Sequence, residues 1–263
     1  MSLEKVAIGT GVAVLVAGGG YGISTLFNGG MPEYSARQKG SSTDKYVDDY
    51  PDYFVDASSN ENDSWWSWVY KSRYLVGSDG KDSDGKTRPT PKRGFLAGIT
   101  DGSSIKSVCS QVYGSQKAKI KKEDGTLSND EYSEADVWRY CTAVNKKPIL
   151  INLAETELKN NKKEKEGYDD TTYGNTNKEN LVAISPEDNK YFWTEQQRLF
   201  FGEKSKRSGK HAQHKTFQDL WTSKTGRVKE TCHSVYISTK AESTDDADLK
   251  KDLFKFCSLK GAE

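Results

Sequence analysis

The 263 residues carry 39 lysines and arginines against 38 aspartates and glutamates, a net charge of +1, and that balance excludes a chain that grips nucleic acid over its whole surface. With 34% apolar and 11% aromatic residues the chain can bury a core, which excludes a wholly disordered protein and leaves room for one domain or two. Only three histidines and four cysteines are present for metal or nucleophile chemistry.

Residues 6–27, VAIGTGVAVLVAGGGYGISTLF, contain no charge, and at 1.5 Å per residue a helix of that length reaches roughly the ~30 Å of a bilayer core. They predict a membrane anchor over residues 1–27, single-pass, with the bulk of the chain outside the cell membrane. The competing expectation is a signal peptide whose cleavage leaves a secreted chain; the small-residue sites near Ala17 fit that loosely. Gly18 and Gly22 stand four apart, as do Ala7 and Gly11, a spacing that lets two membrane helices approach closely and form a homodimer.

Residues 28–62 are polar, dotted with tyrosines in DKYVDDYPDYF and without a sustained period, so they read as a stalk. A first helical unit is expected over 63–153. Its opening NDSWWSWVYKSRYLV places Trp65, Trp68, Val69, Ser72, Leu75 and Val76 at helical spacing behind Asp63 or Ser64 as cap. The turn-rich SDGKDSDGKTRPTPKRG fails as a calcium loop, because a register with Asp82 and Asp84 inside ends on Pro91 instead of Glu. Ile105, Val108, Cys109, Val112 and Tyr113 form one helix face. A later helix begins at Ser128 with Glu131, or at Ser133, and carries Val137, Trp138, Tyr140 and Cys141, with Cys141 pointing inward. PILINL at 148–153 is a short strand or a last helical turn.

Residues 154–184, which include ELKNNKKEKEGYDDTTYGNTNKEN, read as a charged linker or an exposed helix. A second unit over 185–263 then opens with Ser185 and Pro186 as a helix start.

The two units echo one another. WVYKSRYLV from 68 matches WTEQQRLFF from 193, aligning Trp68 with Trp193 and Arg73 with Arg198; IKSVCSQVY from 105 matches VKETCHSVY from 228; DVWRYC from 136 matches DLFKFC from 252. Order and spacing persist, which predicts an internal duplication. Each unit then owns one cysteine pair, Cys109 with Cys141 and Cys232 with Cys257. Outside a membrane these pairs can oxidise and pin two helices together; the alternative is four buried free thiols.

His211, His214, Cys232 and His233 form a poor zinc set, since adjacent helical residues point about 100° apart. Lys204, Lys206, Arg207, Lys210 and Lys215 lie in one run without an acid; they read as a solvated loop or as the grip of an adhesin on a polyanion. Asn62, Asp63 and Ser64 make a glycosylation sequon. No cofactor set or catalytic constellation is expected, and a secreted hydrolase would need convergent carboxylates or a Cys–His pair.

With its glycine-rich N-terminal anchor, its Trp-bearing helices and the closing motifs WRYC and FKFC near FCSL, the chain resembles the paralogous families of uncharacterised surface proteins of haemotropic mycoplasmas. That resemblance implies display toward the host and antigenic variation, with no catalytic residues to carry over. Taken together, the expectation is a mainly α protein: an anchor, a stalk and two tandem small helical domains that contact a host surface molecule.

Overall fold

The computed structural model describes residues 30–40, 44–83, 85–122, 125–158, 167–239 and 244–261. The expected anchor at 6–27 and the dimer face on it lie outside these residues. Among the described residues no helix is long and apolar enough to cross a membrane.

The protein is mainly helical. Helix α1 (Asp63–Val69) runs on through a wider π-type turn to Tyr74. Helix α2 (Gly102–Gly114) starts at a reciprocal cap, in which Asp101 accepts from the Ser104 N–H and the Ser104 side chain reaches back. Of its predicted face, Ile105, Cys109, Val112 and Tyr113 are buried and Val108 is half-buried. Gly102 lies so close to α1 that an added Cβ would stand 2.6 Å from the Ser67 nitrogen. A two-residue parallel pair, β1 (Ile120–Lys121) and β2 (Tyr132–Ser133), aligns Ile120 with Tyr132. Helix α3 (Glu134–Cys141) follows Ser133, the later of the two predicted starts.

The second half contains α4 (Tyr173–Thr176), α5 (Lys190–Phe201), α6 (Lys215–Ser223), α7 (Val228–Tyr236) and α8 (Thr244–Cys257). Helix α2 packs on α1 and on α3, and α7 packs on α5 and on α8. Both expected cysteine pairs are bridged: Cys109 to Cys141 with Cα atoms 5.6 Å apart, and Cys232 to Cys257 at 5.8 Å. All four residues are fully buried.

One set of polar contacts occurs twice. The Val55 N–H donates to Cys141 O, and the Val182 N–H to Cys257 O. Arg73 donates to the carbonyls of Arg139, Thr142 and Ala143, and Arg207 to those of Lys255, Ser258 and Leu259. Asn62 bonds both ways with the Ser35 backbone and donates to Asp56 O; Asn189 does the same with Ile149 and Ala183. In this contact set Arg207 plays the part of Arg73, whereas the sequence segments align Arg73 with Arg198. By the same count Trp66, not Trp68, corresponds to Trp193, each four residues beyond its asparagine.

Two segments depart from expectation. The supposed stalk is structured where described, and Tyr46, Val47, Tyr53, Phe54 and Val55 are core residues. The supposed linker buries Tyr168, Tyr173, Leu181, Val182 and Ala183, while residues 159–166 lie outside the described set. Neither segment shows a helical or strand period because each enters the core through short turns and single bridges, such as Phe54 with Thr142 and Leu181 with Ser258. The π-type turn also ends the predicted α1 face early, leaving Leu75 and Val76 exposed. Buried residues of both halves join in one hydrophobic cluster, from Tyr46 to Leu259.

Candidate functional site

A cleft of about 740 Å3 opens where the first half meets the second, lined by residues 33–38, 51–52, 198–199 and 202–206. One wall is an extended segment. Ala36 sits opposite Val55 in an antiparallel bridge, with Arg37 N–H donating to Phe54 O at 2.8 Å and Asp56 N–H donating to Ser35 O at 2.9 Å.

Across from it stands Arg198, near the end of α5. Its Nε and Nη2 grip the buried Glu195 carboxylate at 2.7–3.2 Å, and its guanidinium lies 4.8 Å from the centre of the Tyr34 ring. The remaining nitrogen, Nη1, meets the Glu33 carboxylate at 3.0 Å, although that side chain is 88% exposed. Burial pulls the Arg198 pKa down, but Glu195 outweighs it and holds the pKa above the ordinary value. Tyr34, whose hydroxyl donates to Glu195, is pushed up by burial and then by that carboxylate, so it stays a neutral donor.

The third wall is the loop 202–206 that follows α5. Lys204 and Lys206 are exposed there and make no ion pair among the described residues. Of the other charges of the cleft, Arg37 is engaged by Asp48 and Asp52 by Arg207, while Glu203 on the same loop is exposed.

Of the predicted basic run, Lys204 and Lys206 therefore reach the cleft, and Lys210 is exposed beside it in sequence. Lys215 is exposed and paired with Asp219 at 2.8 Å. Arg207 is not a surface contact: it is 2% exposed. Its Nε donates to Asp52 at 2.6 Å, its Nη1 to Gln196, Lys255 O and Ser258 O, and its Nη2 to Leu259 O. The carbonyls at the end of α8 need donors, and the planar guanidinium supplies them where a lysine amine could not reach them all.

The weaker motifs resolve structurally. Cys232 is committed to its disulfide, and His214 Nδ1 accepts from the Thr216 N–H at the start of α6. Among the described residues no group of three or more His, Cys, Asp or Glu is placed to hold a metal ion. Asp82 pairs with Arg139 at 2.5 Å. Asn62 is 1% exposed, with both ends of its amide bonded to the backbone, so its sequon is closed to a glycan.

Sequence reasoning did not find Glu33, Tyr34, Ala36 or Arg198 as a site. Glu33 and Arg198 lie far apart in the chain, and residues 33–38 carry no period or motif. Comparison with protein-family models, with curated proteins and with solved structures finds no match.

Proposed function

We propose that this is a displayed interaction protein: anchored through residues 6–27, holding two copies of one disulfide-stapled helical unit outside a cell membrane, and engaging a partner of the host without transforming it. The observation that carries the reading is the pair of fully buried disulfides, Cys109–Cys141 and Cys232–Cys257. Such bonds form and persist in oxidising surroundings, outside the reducing cytosol. The twice-used contact set around Arg73 and Arg207 favours a duplicated unit, and the resemblance to mycoplasma surface families favours display.

The test is protease shaving of intact cells followed by peptide identification, with nonreducing mass mapping of the released peptides. Peptides from both halves, linked Cys109 to Cys141 and Cys232 to Cys257, are expected before lysis. Release only after lysis, or free thiols at these positions, would sink the reading.

A polyanion-binding adhesin is the second reading, favoured by the exposure of Lys204, Lys206 and Lys210. It must work without Arg207. Joint replacement of these three lysines by alanine then abolishes retention on heparin, and unchanged retention excludes it.

A further inference from the structure

We infer that the cleft takes an acidic peptide in extended conformation, added as a strand along residues 33–38, with its carboxylates received by Arg198, Lys204 and Lys206. This deepens the interaction reading above and rests on it for the choice of site.

Three independent features converge. The first is an open strand edge. In the bridge of Ala36 with Val55, the flanking bonds run through Ser35 and Arg37, so the N–H and C=O of Ala36 point the opposite way. Those two groups make no hydrogen bond among the described residues, and the whole segment 33–38 lines the cleft. An unpaired edge position of that kind is a template for a peptide strand.

The second feature is Arg198. Its fork is fixed by buried Glu195 and by the Tyr34 ring, while its outward nitrogen holds only the exposed Glu33 carboxylate. The Glu33 end of this pair stands in solvent, where screening leaves such a contact a small contribution. Glu33 thus acts as a tethered stand-in that an incoming carboxylate can displace.

The third is the loop wall, where Lys204 and Lys206 stand two residues apart, exposed and without an ion pair among the described residues. A uniformly charged glycan fits less well, because Glu33, Asp52 and Glu203 line the same cleft. A peptide can place carboxylates at alternate positions and spare those acids, and its main chain answers the Ala36 edge.

The test uses the full chain in detergent, disulfides intact, and fluorescence anisotropy of a labelled peptide of alternating Glu and Thr. The peptide is expected to bind. Glu33→Gln tightens it about threefold by removing the internal competitor, and Lys204→Ala with Lys206→Ala weakens it about tenfold. These three side chains are exposed, so folding is not at stake. The same peptide N-methylated on every amide keeps its charge, loses the strand-pairing donors of both its edges and is expected not to bind.

Equal binding of the methylated peptide, or no tightening by Glu33→Gln, overturns the proposal. Failure of the acidic peptide alongside heparin binding that depends on Lys204 and Lys206 also overturns it and makes the loop a polyanion site. Cell shaving reports display whatever the peptide does, so the two readings fail separately.

Discussion

Tyr236 occupies in the second half the position that Tyr113 occupies in the first. The Tyr113 hydroxyl lies 2.7 Å from Val55 O and 3.1 Å from Cys141 O; the Tyr236 hydroxyl lies 3.0 Å from Val182 O and 3.1 Å from Cys257 O. Each tyrosine ties the last residue of a disulfide to the segment that crosses it. Burial raises both phenol pKa values well above the ordinary one, so both stay donors. Tyr113→Phe and Tyr236→Phe are each expected to cost about 1–2 kcal/mol in urea denaturation, one buried hydrogen bond's worth. Costs differing severalfold between the two sites would argue that they are not equivalent members of a duplicated unit.

The disulfides are the second matched pair. They close loops of 32 and 25 residues of sequence separation, and on the chain-entropy account each stabilises the fold by about 3–4 kcal/mol. Because buried residues of both halves share one cluster, Cys109→Ala with Cys141→Ala is expected to lower the stability of the second half as well. Hydrogen exchange of α7 and α8 in that double variant reads this coupling. Unchanged protection there would mean that the halves unfold independently.

The strongly periodic parts of this fold were legible in the sequence. The face of α2 announces its buried residues by spacing, and the matched Cys positions pointed to the pairs that are bridged. Residues 46–55 did not, because Tyr46, Tyr53 and Phe54 are buried by single bridges and short turns amid acids. Composition averaged over such a stretch looks like a linker. Arg207 misled for the opposite reason: a cation inside a basic run looks solvated, and only the tertiary fold brings the α8 carbonyls to it. The cleft was invisible because its walls come from residues 33–38 and 198–206.

Arg207 should therefore behave as a core residue. Arg207→Ala leaves Asp52 and three carbonyls without their donor and is expected to destabilise the protein by about 3–5 kcal/mol, as loss of one partner of a buried ion pair does. Arg207→Lys keeps the charge but not the fork and should recover only part of that loss. Thermal unfolding of the two variants beside Lys206→Ala checks this. The neighbouring lysine is exposed and should shift stability by less than about 0.5 kcal/mol. A mild effect at Arg207 would refute its structural role.

Asp48 supplies a pH dependence with a definite sign. Its carboxylate is 4% exposed and accepts from the Arg37 guanidinium and from the Gly40 N–H at 2.9 Å. Burial raises its pKa, but the Gly40 N–H and Arg37 outweigh burial and hold it below the ordinary value. A depressed folded pKa means that the ionised carboxylate contributes stability above the unfolded value of about 3.9, and that this is lost as pH falls through the folded pKa. Asp48→Asn is thus expected to cost about 1.5–3 kcal/mol near neutral pH, the worth of charge-assisted bonds. The gap to the unsubstituted protein should close as pH falls below about 4. Urea titrations at stepped pH measure that gap, and one that stays constant down to about pH 2 would place its origin in packing, not in the charge. Because Arg37 also lines the cleft, the same variant frees a fourth cation there and should tighten the acidic peptide at neutral pH.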